Sequence, residues 1–175
     1  QLDNPERGFS YMHDAPLDMR MNREANPSAY DVINSYDKEE LIKIFYEYGE
    51  EKWSKRVADF IDERRKMSPI KTTGEHVDII KNAIPKGARM DGGHPAKRIF
   101  QAVRIEVNGE LSMLRQALTD FVDALAPGGR LAVITFHSLE DRITKQVFSE
   151  LAKGCICPKE FPVCMCNHKP EIKQV

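Results

Sequence analysis

Residues 131–136 read Leu-Ala-Val-Ile-Thr-Phe, apolar almost throughout and without polar alternation. That pattern belongs to a strand buried on both faces, typically central in a parallel sheet. Such a strand needs a neighbour on each side to take its N–H and C=O groups. No other stretch of the chain has comparable patterning, so either the last twenty or so residues pair with it or its partners lie outside this sequence. The chain opens on Gln1, in a run, QLDNPERGFS, that reads as mid-protein sequence, and closes on PEIKQV, with no helix cap and no polar tail. We therefore expect a segment of a longer protein. The order helix, Pro-Gly-Gly, strand, helix at 108–152 is that of the late part of a doubly wound α/β sheet.

Charge narrows the function classes. Twenty-six Lys+Arg against 27 Asp+Glu leave a net charge of −1. This excludes a polybasic chain that holds nucleic acid by bulk charge, though not a local basic face. With 41% hydrophobic and 30% charged residues the composition is that of a soluble globular protein. No apolar run approaches the ~18 residues of a membrane span, and no signal-peptide pattern opens the chain. We expect the protein to be cytoplasmic.

Residues 1–34 are broken by Pro5, Gly8, Pro16 and Pro27 and read as a long irregular loop. Its Phe9, Tyr11, Leu17 and Met19 are enough to pack it down, which favours a functional loop. From about 37 to 84 the spacing turns helical. Leu41, Ile44, Phe45 and Tyr48 share a face that Gly49 ends. Trp53, Val57, Phe60 and Ile61 share another, opposite Lys52, Lys55 and Arg56. Thr72 and Glu75 stand at capping-box spacing ahead of Val77, Ile80 and Ile84, and Pro85 stops that helix. Gly87 to Gly93 reads as a flexible link. Beyond it Ala96, Phe100, Val103 and Val107 line one helical face, with Lys97, Gln101, Arg104 and Asn108 opposite. The β-branched content of 99–107 leaves a strand open there. Leu118, Phe121, Val122 and Leu125 form a further apolar stripe. His137-Ser138-Leu139-Glu140-Asp141-Arg142 opens a last helix, with Ser138 as N-cap and acids in the first turn; Gly154 ends it.

Several clusters could carry chemistry. His137, Ser138 and Asp141 stand at the carboxyl end of the expected strand, where α/β sheets bind ligands; an ordinary strand–helix junction explains them equally well. His137 and Ser138 are adjacent and cannot share a proton as a hydrolase pair. Lys97, Arg98, Gln101 and Arg104 suit phosphate and base-edge contacts, against the simpler reading of a solvated charged face. Asp14, Asp18 and Arg20 sit on a Pro-stiffened loop and could orient a polar ligand or merely pin the loop by internal ion pairs. Gly92-Gly93 and Gly128-Gly129 do not link a strand to a helix in a dinucleotide-binding manner and read as turns. The four cysteines fall within twelve residues as Cys155-x-Cys157 and Cys164-x-Cys166, with His168 just after. The C-x-C spacing is tighter than the usual zinc spacing. It favours thiols in a Pro-rich hairpin over a metal knuckle, and the absence of a secretory signal disfavours disulfides.

Four blocks, QLDNPERGFSYMHDAPLDMRM, YGEEKWSKRVA, GGHPAKRIFQAVRIEVNGEL and PGGRLAVITFHSLEDR, together resemble the bacterial ribosomal RNA small subunit methyltransferase H family, in order and through essentially the whole chain. The Cys-rich tail is similar to that of some members. The resemblance implies an α/β fold: part of a Rossmann-like, S-adenosylmethionine-dependent methyltransferase domain with an inserted all-α domain. Residues 1–30 would be the active-site loop, 31–92 the inserted substrate-recognition domain, and 93–175 the later Rossmann part with its fifth strand at 131–136. It implies N4-methylation of a cytosine in 16S ribosomal RNA with S-adenosylmethionine as cofactor, the RNA or the small subunit as partner, and no metal. The family's Gly-rich loop, its acidic ribose contact, its Asp-Leu-Gly loop and its C-terminal basic segment have no counterpart in this sequence. The cofactor contact carries over to Gln1 alone.

A cytosine amine is a poor nucleophile, because its lone pair is delocalised into the ring. The site must accept its protons, align it with the methyl group and hold the base out of the stack. Asp18, His137, Ser138 and Asp141 are expected to act there with Arg20 beside them. Lys97, Arg98, Gln101 and Arg104 would reach the RNA, with Lys52, Lys55 and Arg56 as outer contacts. The competing readings are an RNA-binding module without activity and a structural fragment.

Overall fold

The structure, a computed structural model, describes residues 4–89, 93–158, 161 and 163–174. The chain divides into two compact units, Gln1–Gly109 and Glu110–Val175.

The first unit carries five helices: α1 (Ala29–Ser35), α2 (Lys38–Glu47), α3 (Ser54–Met67), α4 (Thr73–Ala83) and α5 (Lys97–Asn108). Their starts follow from local chemistry. Ser28 with Asp31, Asp37 with Glu40, and Thr72 with Glu75 form reciprocal capping boxes at α1, α2 and α4; the third is the one its spacing predicts. In each, a side-chain oxygen takes an orphan N–H of the first turn and the acid returns the bond to the cap. Thr72→Ala is expected to cost about 1 kcal/mol, read as a lower urea midpoint at unchanged m-value.

The apolar faces read from the sequence meet in one core. Leu41, Ile44 and Phe45 of α2 pack with Val57, Ala58 and Ile61 of α3, Val77 and Ile80 of α4, and Ile99, Phe100 and Val103 of α5. The stretch 99–107, open to a strand reading, is helical. Gly49 lets α5 approach closely. A Cβ there would stand 2.7 Å from the Phe45 carbonyl oxygen and 2.8 Å from that of Arg98.

The opening loop joins this core. Leu17 and Met19 are buried, whereas Met12 and Met21 stay exposed. Leu17 N–H donates to Lys71 O at 3.0 Å and Thr73 N–H to Ala15 O at 2.8 Å, while Thr73 Oγ1 accepts from Ala15 N–H at 2.9 Å. These bonds fasten residues 13–17 to the start of α4.

The second unit contains α6 (Glu110–Ala124) and α7 (Ser138–Leu151), which pack on each other with an Arg115–Glu150 ion pair at 3.1 Å. Two expectations change here. Residues 131–136 form no strand; among the described residues there is no ladder for them to join. Ile134 and Phe136 are 83% and 90% exposed. The α/β sheet is therefore not formed within the described residues, which are helical. The reason is the one the pattern itself implies, since a doubly buried strand cannot build a sheet without neighbours. Secondly, the N-cap of α7 is His137 rather than Ser138. His137 Nδ1 accepts from Glu140 N–H at 3.4 Å, and Glu140 Oε2 accepts from Phe136 N–H and His137 N–H at 2.7 and 3.3 Å.

No helix of the described residues is long and apolar enough to cross a membrane.

Candidate nucleic-acid interface

A groove of about 220 Å³ opens in the first unit between the turn before α3, the segment after α4 and the start of α5. Lys52 and Trp53 line one side, Arg89 and Ile84 another, and His94 and Arg98 the third. Lys52 and Arg98, far apart in sequence and both expected to meet RNA, thus share one concave surface. Half-buried Trp53, packed against the core, adds an aromatic side chain to the lining. Phosphate-tracking cations beside an aromatic face are what single-stranded nucleic acid needs. Buried Glu51 also lines the groove, but its carboxylate accepts from Trp53 N–H at 2.9 Å and so orders the turn.

The groove is held rigidly from behind. Arg98 donates to Glu50 O at 2.8 Å, and Gln101 Nε2 to Tyr48 O at 3.0 Å. Arg89 donates through Nε to Ile84 O at 2.8 Å and through its terminal nitrogen to Lys81 O. The His94 ring stacks on Tyr11 with centroids 4.5 Å apart, and Tyr11 meets Phe100 edge-on at 5.8 Å. Burial, and then the Lys81 charge, push the His94 pKa down, so it is neutral near pH 7. Its Nδ1 accepts from Ala96 N–H at 3.2 Å, which leaves the proton on Nε2.

The other expected residues are placed as follows. Lys55 and Arg56 are exposed on α3, with the Arg56 guanidinium over the Phe60 ring at 5.6 Å. Lys97 is exposed and Arg104 half-buried on α5. Asn108, on the same face, clamps the opening loop: its Nδ2 donates to Met19 O at 2.9 Å and its Oδ1 accepts from Met21 N–H at 2.7 Å. Gln101 and Asn108 therefore hold the protein's own backbone, and only part of that polar face is available to a ligand.

Asp18 and Arg20 form the internal pair that pins the loop. Arg20 Nε donates to one Asp18 oxygen at 2.5 Å and its terminal nitrogen to the other at 3.2 Å, while a third nitrogen reaches Ala25 O at 3.0 Å. Partial burial raises the Asp18 pKa, but the two Arg20 bonds outweigh it and hold the carboxyl below its usual range.

In the second unit, Ser138 and Asp141 lie along a trough of about 540 Å³ lined by α7 and Lys153. A trough lined by a single helix and one residue after it is a helix flank, and its volume carries little weight. Asp141 pairs with Lys145 at 2.8 Å. His137 Nε2 is buried, 3.5 Å from Glu140 Oε1 and outside hydrogen-bond geometry. Gln1 lies outside the described residues.

Sequence reasoning missed Arg89, which sits in a stretch read only as a flexible link. Its signal was weak, a lone arginine between Pro85 and Gly93.

The first unit is thus a helical unit with a groove lined by Lys52, Arg89, Arg98 and Trp53. The chain belongs to the MraW methylase family, whose family model matches residues 1–175. It is 61% identical over 173 residues to the ribosomal RNA small subunit methyltransferase H of Clostridium botulinum (strain Loch Maree / Type A3), covering 99% of this chain and 56% of that protein. It is 58% identical to the protein of the same name from Heliobacterium modesticaldum over 99% of this chain and 55% of that one. With the one from Brevibacillus brevis it shares 56% identity over 100% of this chain and 56% of that one. The chain thus spans about half the length of the curated relatives it matches.

Proposed function

We propose that the whole protein methylates N4 of a cytosine in 16S ribosomal RNA in the cytoplasm, and that this chain supplies its RNA-facing half. The observation that carries the reading is the match of 56–61% identity, along 99–100% of the chain, to proteins named ribosomal RNA small subunit methyltransferase H.

The methyl donor expected of this family is S-adenosylmethionine. Gly128 has φ 83° but follows α6 rather than a strand, so it does not form the strand-to-helix glycine turn of a nucleotide site. Apart from the contact assigned to Gln1, we assign the donor's site to the part of the relatives' length that this chain does not span.

In the whole protein we assign 1–30 to the active-site loop, 31–92 to the inserted helical domain and 93–175 to the later part of a Rossmann-like α/β sheet. The exposed apolar side chains Ile134, Phe136 and Phe121 support a sheet completed by other strands. The groove's Lys52 and Arg98 then hold RNA phosphates, and Trp53 stacks on an unpaired base. In the whole protein Asp18 and Arg20 of the first unit, and His137, Ser138 and Asp141 of the second, are each assigned a contact with the flipped cytosine. Asp18, kept ionised by Arg20, is a hydrogen-bond acceptor for the amine protons rather than a strong base.

Mass spectrometry of 16S RNA, from cells lacking the endogenous activity and supplied with the whole gene, is expected to show N4-methylcytidine. Unmodified cytosine despite soluble, S-adenosylmethionine-binding protein would refute the proposal. In this chain, Lys52→Ala and Arg98→Ala are each expected to weaken binding to an RNA hairpin. Each should lower the magnitude of the log K against log[salt] slope by about one. Unchanged slopes would remove the groove from the RNA path.

A further inference from the structure

The tail after α7 gathers its four cysteines at one point. The Sγ atoms of Cys155, Cys157, Cys164 and Cys166 all lie within 4.8 Å of one another. Two of the separations are 3.6 Å (Cys164–Cys166) and 3.8 Å (Cys155–Cys166). Zinc–thiolate bonds of about 2.3 Å in a tetrahedron place neighbouring sulfurs about 3.8 Å apart. Bonded disulfide sulfurs would be about 2.05 Å apart, and all four thiols are unbonded.

The backbone around the cluster is reciprocal. Ile156, between the first two cysteines, donates its N–H to Cys166 Sγ at 3.5 Å. Met165, between the second two, donates its N–H to Cys157 Sγ at 3.3 Å. Each C-x-C pair thus hydrogen-bonds a sulfur of the other, the outer-shell arrangement that fixes thiolate ligands and spreads their charge. The objection from spacing also falls. The C-x-C pair Cys164 and Cys166 brings its two sulfurs to a tetrahedral edge length.

Among the described residues the unit buries few side chains: Leu118 on α6, with Leu139, Thr144 and Val147 on α7. The tail leaves Ile156, Val163 and Met165 exposed, so apolar burial does not order it. The bond from Glu171 N–H to Leu151 O, 2.9 Å, returns the chain to the end of α7 just beyond the cluster.

We propose that these four cysteines bind one zinc ion as a tetrahedral, structural four-thiolate site that ties the segment after α7 into the second unit. An all-sulfur donor set selects a soft or borderline metal over magnesium or calcium, and four protein ligands leave no open position for catalysis. Binding exchanges the four S–H protons, released to solvent, for four Zn–S bonds, with no change of oxidation state. The site is independent of the RNA-methylating reading.

The test uses the full 175-residue chain, purified under reducing conditions. Elemental analysis should find about one zinc per chain, and chelation should render four otherwise protected thiols reactive to a disulfide reagent. Replacing zinc by Co²⁺ should give the visible bands of tetrahedral cobalt thiolate. Cys157→Ser/Cys166→Ser should abolish both the bands and the zinc, while the helical circular dichroism of the first unit persists. A chain that holds no zinc and gives no cobalt spectrum overturns the proposal. So does one that carries iron instead, or a double variant that keeps its metal.

Discussion

Acidification from pH 6.5 toward 3 is expected to unfold the first unit through one side chain, His76. Its ring is fully buried on α4 beside Phe100, 5.4 Å between centroids, and neither ring nitrogen has a hydrogen-bond partner among the described residues. Burial alone pushes its pKa from 6.5 down to about 3. Below pH 6.5 the unfolded chain binds a proton that the folded chain refuses. The stability is therefore fully present above 6.5 and is lost as pH falls through the window to 3, at about 1.4 kcal/mol per pH unit. Several kcal/mol disappear before the window ends, a large part of a domain's total. His94, whose pKa is also lowered, adds in the same direction. Asp14, Asp18, Asp31 and Asp62, all held below the usual carboxylate range, contribute only at lower pH. Between pH 6.5 and 4.5 the histidines thus dominate. Urea melts of His76→Leu across that range should lose about one proton of the wild-type slope. At pH 7.5 the variant should be at least as stable as wild type, because it removes two buried unpartnered nitrogens. Parallel pH profiles for the two proteins would refute the assignment.

The liability of His76 was invisible in the sequence. Spacing places it on α4, but only packing reveals that its ring nitrogens find no hydrogen-bond partner among the described residues. The periodic elements were legible for the opposite reason. Leu41, Ile44 and Phe45, or Ile99, Phe100 and Val103, announce a buried face by themselves, and Thr72 with Glu75 announce a helix start. The polar face of α5 shows the limit. Its spacing identified Lys97, Gln101, Arg104 and Asn108 as one stripe but could not say what the stripe meets. Gln101 and Asn108 turn out to hold backbone carbonyls, and Arg98 joins Lys52 and Trp53 in the groove. Asp18 and Arg20 admitted two readings, and the geometry favours the internal pair. Residues 131–136 carry a strand-like apolar pattern, but among the described residues they have no ladder to join and form no strand, because a strand needs neighbours for its backbone groups.

Gly8→Ala is expected to destabilise the first unit by about 3–5 kcal/mol, and the cost traces to backbone alone. Gly8 has φ 72°, and a Cβ there would stand 2.2 Å from Pro16 O and 3.0 Å from Asp18 N. The left-handed conformation itself costs alanine about 1 kcal/mol. Most of the destabilisation comes from the turn at 16–18, closed by Asp18 N–H to Pro16 O at 2.9 Å and joined to the first turn by Met19 N–H to Arg7 O at 3.0 Å. No side chain can rotate away to make room, so the turn must move. Leu17 and Met19 lie immediately on it, 2% and 0% exposed; full exposure would cost about 1.5–3 kcal/mol each, and the shift forfeits a part of that from both. The same movement pulls Asp18 and Arg20 off their pairing and breaks the Asn108 clamp on Met19 and Met21. Gly87→Ala is the matched control: nothing lies within 4 Å of its added Cβ and its φ is ordinary, so its effect should stay within about 0.5 kcal/mol. Equal denaturation midpoints for the two variants would show that the opening loop yields without disturbing the core. The loop would then be an adaptable cover, and the rigid support that it gives Asp18 and Arg20 would fail with it.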